Sequence, residues 1–254
     1  MNKNNILFGI IGLLAGFMIG FIFANSVARP ATGAKPAQAS AKPPTAQNSG
    51  QNGAQQSGQS GADPQTLSED EVKRAIAAGD EKPDDIELQH KLGLALYRYA
   101  SYTQDARYLP DVARFLKRAY DANPNDRDLT VTLGNVLFDI AQKDDPSRFA
   151  EARVYYLKAL EMKSADADVR TDLGLTYYFG KPSDPQKAIA EYRKSLAIDP
   201  RHEATLQNLA AALIVTGNHA EAEKRIAELQ SVNPENASLS DLRAQLAQSK
   251  NAQE

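Results

Sequence analysis

The side chains best equipped for chemistry are few in this chain, and they are scattered. Histidine occurs three times, at His90, His202 and His219. The run His202-Glu203-Ala204-Thr205-Leu206 begins like a zinc-protease helix, with a histidine followed by a glutamate. That chemistry needs a second histidine one helical turn later, on the same face, to share the metal; Leu206 stands there instead. There is no cysteine, which excludes a disulfide framework, a thiolate zinc site, an iron–sulfur cluster and a thiol nucleophile. No glycine-rich loop ends in Gly-Lys-Ser/Thr, and no nucleophile elbow occurs. The acidic pairs Asp84-Asp85 and Asp144-Asp145 fall where helices are expected to begin, a place for carboxylates that cap amides and offset the helix dipole. Asn236-Ala237-Ser238 spells a glycosylation acceptor and nothing more. These residues predict a non-enzymatic protein with no catalytic centre, no metal site and no cofactor.

The elements behind them are of three kinds. The chain has 254 residues, 29 Lys and Arg against 32 Asp and Glu, and a net charge of −3 with no dense basic block, so binding to nucleic acid is not expected. Residues 6–24, ILFGIIGLLAGFMIGFIFA, carry no charge. As a helix they span roughly 28 Å, close to a hydrocarbon core of about 30 Å. A single-pass membrane helix over 6–24 is the expectation, and a secretory signal cleaved near Ser26-Val27-Ala28 is the alternative. Gly12, Gly16 and Gly20 recur every fourth residue on one face, where a second membrane helix can approach closely and a homo-oligomer can form. Lys3 and the terminal amine on one side nearly balance Arg29, Lys35 and Lys42 on the other. The layout of short basic start, apolar run and long body predicts a bacterial inner-membrane protein whose body is periplasmic; a cytoplasm-facing adaptor is the inverted reading. Of the 40 residues 29–68, 30 are Ala, Gln, Pro, Gly or Ser. Such a chain buries too little apolar surface to offset its ordering entropy, so 25–66 is expected to be a disordered tether spanning roughly 35 Å.

From Leu67 the pattern becomes helical. Ser68 and Glu71 form a capping box, Val72, Ala75 and Ile76 form an apolar stripe, and Gly79 is placed to end the first helix. No β-branched alternation follows, so no strand is predicted. Leu92-Gly93, Leu133-Gly134, Leu173-Gly174 and Leu209-Ala210 recur as one pair, whose small second residue lets a neighbouring helix close in. Pro83, Pro124, Ser164, Pro200 and Pro234 occupy equivalent stops, spaced 41, 40, 36 and 34 residues apart. The unit is thus about 34 residues, lengthened in the earlier copies. The added residues are expected in inter-helix turns, around 99–109, 142–149 and 180–186, on one edge of the array.

These segments resemble tetratricopeptide repeats. The last copy is cleanest, with Leu206, Leu209, Ala210, Leu213, Gly217, Ala222, Ile226 and Pro234; the others keep the Leu-Gly pair and an Ala or Tyr of the second helix. The resemblance covers about 67–249, with 250–254 a disordered tail, and implies an all-α superhelix of four helical hairpins with a capping helix at each end, ten helices in all. Three copies depart from it at the early apolar position, held by Gln89, Thr130 and Arg170, while Leu88, Leu129 and Val169 sit one residue before, which suggests slightly rotated helix starts. The family implies a concave surface lined by first helices, here His90, Leu94 and Tyr97; Val131, Asn135 and Phe138; Thr171, Leu175 and Tyr178; and Gln207, Ala211 and Ile214. Only Asn135 matches a carboxylate-clamp residue, so capture of an acidic C-terminal tail is not expected. The implied partner is a protein or peptide segment with apolar anchors. The whole layout is similar to the anchored repeat subunits of bacterial cytochrome c maturation systems, which implies an adaptor in envelope protein assembly.

Overall fold

A computed structural model describes residues 67–251. The expected membrane helix 6–24 with Gly12, Gly16 and Gly20, and the expected tether 25–66, lie outside the described residues. The chain divides into two compact units after Ala75. In the first, the capping box forms as anticipated: the Ser68 amide donates to Glu71 Oε2 at 2.8 Å and the Glu71 amide donates to Ser68 Oγ at 3.4 Å. These bonds start α1 (Glu69–Asp80) and hold the Glu71 carboxyl below its ordinary range. Val72 and Ala75 are buried.

The second unit is a run of antiparallel hairpins. α2 (Ile86–Thr103) pairs with α3 (Leu109–Ala122), α4 (Arg127–Lys143) with α5 (Arg148–Met162), α6 (Ala167–Phe179) with α7 (Pro185–Ile198), and α8 (Glu203–Val215) with α9 (His219–Val232). α10 (Leu239–Asn251) follows, burying Leu239, Leu242 and Leu246. Ten α-helices, a short 3-10 turn at Ala106–Tyr108 and no strand make up the described residues. Among them no helix is long and apolar enough to cross a membrane. Four starts share one device: Asp85, Asp126, Asp166 and Asp184 each accept the amide three residues on at 3.0 Å, a cap worth about 1 kcal/mol. Asp145 does not cap α5. It accepts from the Ser147 amide at 3.1 Å and the Ser147 hydroxyl at 2.6 Å, one turn earlier, and the helix begins at Arg148.

The first helices share a register. Leu92, Leu133, Leu173 and Leu209 are each the seventh residue of their helix and are at most 1% exposed. The next residue faces the second helix of the same hairpin. A β-carbon on Gly93 would lie 2.5 Å from Leu116 Cδ2, and one on Gly134 would lie 2.8 Å from the Tyr156 ring; at Gly174 it would run into Tyr192. Glycine is therefore the closest-approach point of each of the first three hairpins. Gly79 acts in the same way and does not end α1, which continues to Asp80; a β-carbon there would meet Leu92 and Phe115. The glycine chosen for its backbone freedom is Gly217, at φ 74° in the α8–α9 turn.

The expected rotation of the helix starts does not occur. Gln89 and Thr130 stay buried at the early position and Arg170 is half-buried, and these polar side chains satisfy themselves. Gln89, 0% exposed, donates to the carbonyls of Gly79 and Lys82, both at 2.8 Å, and accepts from Arg118 at 3.1 Å. Thr130 donates to the Asp126 carbonyl at 2.6 Å, and Arg170 pairs with Glu191 at 3.1 Å across α6 and α7. The additional length of the early repeats is also placed differently. α2 has 18 residues and α4 has 17, against 13 in α6 and in α8, so most of it continues the first helix and does not widen the turn. The first copy, over residues 104–108 with its 3-10 turn, and the third, over 180–184, also have connections longer than the 216–218 turn of the last copy.

Gly174→Ala should lower the unfolding free energy by about 1–2 kcal/mol, because overpacking against the Tyr192 ring (about 1–3 kcal/mol) outweighs alanine's helix propensity (about 1 kcal/mol). Urea unfolding of the full chain in detergent measures it, and a stabilised variant would show that the ring yields freely.

Candidate functional site: the first-helix face

The first helices present one polar and aromatic surface, and its strongest contacts run between repeats. Tyr97 of α2 donates its hydroxyl to Asp139 Oδ2 of α4 at 2.7 Å. Burial raises the Asp139 carboxyl above its ordinary range, opposed by the Tyr97 hydrogen bond and by Lys143 one turn along. Burial and that carboxylate together push the Tyr97 hydroxyl well up, so it stays a donor. Tyr156 of α5 donates to Asn135 Oδ1 at 2.9 Å, which orients its ring over Gly134.

Asp172 of α6 differs from every other described carboxylate. Burial, with Asp168 and Asp166 beside it, pushes its carboxyl up to about 7. His202 offsets part of this, and Asp139 adds to it. No hydrogen bond or ion pair to the Asp172 carboxylate forms among the described residues. Its field reaches Tyr97, Tyr156 and Tyr192, whose hydroxyls are all driven upward, first by burial. The face thus holds a half-buried acid among tyrosines, with His202 acting on it from a distance and no ion pair to it among the described residues.

Of the twelve residues expected on this surface, Tyr97 and Asn135 sit at its centre, as above. His90, Leu94, Val131, Leu175 and Ala211 are half-buried along the first helices. Phe138 meets Phe149 edge-on with centroids 5.2 Å apart, and Tyr178 meets Phe179 at 5.1 Å. Gln207 accepts from Asn236 at 3.4 Å. Thr171 and Ile214 lie deeper, 3% and 4% exposed. The Thr171 hydroxyl touches those of Ser195 (3.1 Å) and Thr205 (2.5 Å), and Thr171 and Ser195 both donate to the Ala167 carbonyl.

The chemically suggestive residues resolve into structure. His202 Nε2 lies 2.9 Å from Asp168 and Nδ1 lies 2.6 Å from the Thr205 hydroxyl. The order acid, imidazole, hydroxyl is that of a hydrolase triad, but the exposure is inverted. Thr205 is 0% exposed, whereas the Asp168 side chain is 86% exposed, so no substrate carbonyl can reach the hydroxyl. Glu203 accepts from Asn233 at 2.7 Å and Asn236 at 2.6 Å, which ties the asparagine of the glycosylation sequence into the α8–α9 hairpin end. His219 bonds Ser249 of α10 at 2.8 Å.

Sequence reading missed Asp139 and Asp172. Their signal is visible afterwards. Aspartate is a poor mid-helix residue that belongs at helix starts, and these two stand thirteenth in α4 and sixth in α6, away from the capping turn.

Residues 182–246 match the family profile of the tetratricopeptide repeat. No curated protein matches the sequence. Among solved structures, MamA is similar at 21% identity and a TM-score of 0.52, over 66% of this chain and 90% of that one. A MamA fragment from Desulfovibrio magneticus RS-1 gives 19% and 0.52 over 67% and 88%. A tetratricopeptide repeat protein from Parabacteroides merdae gives 19% and 0.51 over 63% and 60%. At these identities the likeness is one of fold, and the described residues form a tetratricopeptide-type array of helical hairpins.

Asp172 also predicts a pH dependence. Its folded-state value of about 7 lies above the 3.8 of the free side chain, so the folded chain holds the proton more tightly. Its contribution to stability is complete below about pH 4 and is lost as pH rises towards 7. Asp172→Asn, which cannot ionise, should gain on the parent over that window, by on the order of 2 kcal/mol at pH 7.5. Unfolding at pH 4.5, 6 and 7.5 tests it; a difference that does not change with pH would contradict the assignment.

Proposed function

We propose that this chain is a membrane-tethered, non-enzymatic scaffold that holds peptide segments of partner proteins on its first-helix face. The observation that carries the reading is the Asp172 carboxylate, half-buried among tyrosines and without a hydrogen-bond or ion-pair partner among the described residues. A lysine or arginine of an extended segment supplies the missing charge, and Leu94, Tyr97, Phe138, Leu175 and Tyr178 supply apolar and aromatic contact on either side. The uncharged run 6–24 and the Ala/Gln/Pro-rich residues 25–66 support an anchor and a tether that let the repeats search a volume above the membrane. On the layout of basic start, apolar run and long body, the repeats act in the periplasm of a bacterial cell. Their work there is assembly of envelope complexes, of which handling unfolded apocytochrome segments for haem attachment is one instance.

Two measurements test this. Peptides tiled from proteins captured by the full chain in detergent should bind through a basic residue, and Asp172→Asn should weaken them roughly tenfold or more, the worth of a hydrogen bond to a charged group. Binding that ignores both the basic residue and the variant would overturn the groove reading. A C-terminal alkaline phosphatase fusion should be active with the N-terminal segment still attached by mass spectrometry; an inactive fusion, or a chain beginning near Arg29, would overturn the anchored periplasmic arrangement.

A further inference from the structure

The edge of the array where first helices end carries a second surface, which adjoins the acidic face through Phe138 and Lys143. Phe149, at the start of α5, stacks on Phe179, the last residue of α6, with centroids 6.2 Å apart and planes 25° from parallel. Phe138 closes the other side of Phe149. Phe179 is 45% exposed, although it belongs to this aromatic row. Beside the rings lies a pocket of about 350 Å³, lined by Ala141, Gln142, Lys143, Pro146, Phe149, Phe179 and Lys181, at the small end of ligand sites (about 300–1,000 Å³).

Its charge has one sign. Lys143 ends α4 and Lys181 stands in the longer third-repeat loop, and both are exposed. Neither forms an ion pair among the described residues. The lining has no acid; of the adjacent carboxylates Asp145 is paired with Arg148 at 3.3 Å and Asp184 with Lys187 at 2.9 Å, while Asp144 is exposed beside Lys143. An aromatic floor beside two exposed ammonium groups that form no ion pair among the described residues is complementary to one local chemistry, an aromatic side chain next to a carboxylate. We propose that this pocket binds a peptide residue of that kind, a phenylalanine or tyrosine bearing a free α-carboxylate or flanked by an acidic side chain. The ring stacks against Phe179 and the carboxylate lies between Lys143 and Lys181. A flat anionic lipid surface fits less well, because the exposed Asp144 and the Asp145 carboxylate lie on the same edge and would face it. The site extends the scaffold reading and does not depend on a basic segment occupying the first-helix face.

The test uses the full chain in detergent and a fluorescein-labelled Gly/Ser peptide ending in phenylalanine, as the free acid and as the C-terminal amide, followed by anisotropy. The acid should bind roughly five- to tenfold more tightly than the amide, the worth of a partly exposed charge-assisted contact. Lys143→Glu with Lys181→Glu should abolish that preference, and Phe179→Ala should weaken both peptides; all three residues are exposed, so circular dichroism should report an unchanged fold. Equal binding of acid and amide, or binding indifferent to the variants, would overturn the proposal. So would a titration in which monomeric dihexanoyl-phosphatidylglycerol binds through the two lysines and the peptides do not.

Discussion

In each of the first three hairpins the two helices touch where a side chain is missing. A β-carbon at residue 134 or 174 would enter the tyrosine ring of the facing helix, and one at residue 93 would enter Leu116. The absence of one atom lets the helices close to ring thickness, and it fixes which residues can stand opposite. Tyr156 and Tyr192 lie over the glycines and are at most 1% exposed, so their large apolar area goes into the hairpin core. The leucine before each glycine is buried as well, and a hairpin too thin to make a core alone shares one with its neighbours.

That constraint also explains what sequence could reveal. A Leu-Gly pair recurring 41 and 40 residues apart is detectable because glycine is costly inside a helix and so stands out. The hairpins, the capping helix with Leu239, Leu242 and Leu246, and the Ser68–Glu71 cap were all legible for comparable reasons. Other features were not. Gln89, Thr130 and Arg170 looked like a shift in register, because a one-dimensional reading scores a polar residue in an apolar slot as a mismatch. It cannot see that Gly79 and Lys82 offer their carbonyls to Gln89. The additional residues of the first two repeats looked like loops because helix continuation leaves no punctuation. Of the surface residues, register pointed to Tyr97 and Asn135, while Asp139 and Asp172 were passed over because their shifted carboxyls arise from burial that only the folded array creates.

The charge distribution divides the molecule's surfaces by task. Arg170–Glu191, Arg193–Glu221 and Arg225–Glu228 pair across or along helices and neutralise one another locally. On the first-helix face the acids keep company with tyrosines, which donate hydrogen bonds without neutralising charge. At the hairpin-turn edge two lysines stand over phenylalanines. A structural ion pair offers an incoming chain nothing, whereas both of these surfaces leave part of their electrostatics incomplete, with opposite signs.

The joints between repeats are not copies of one another. Gln89 serves the joint before the first hairpin, and the three hydroxyls of Thr171, Ser195 and Thr205, with His202, serve the joint between the third and the fourth. Each set is satisfied only by its own neighbours, and each is buried enough that an orphaned member costs on the order of 1–3 kcal/mol. A tandem array built of near-equivalent modules is prone to strand one module against the wrong partner, within a chain or between chains. Here the modules are keyed. A hairpin seated out of order would bury an amide against leucine or a hydroxyl against phenylalanine. The serial order of the repeats is therefore written in these few polar atoms as well as in the connecting backbone.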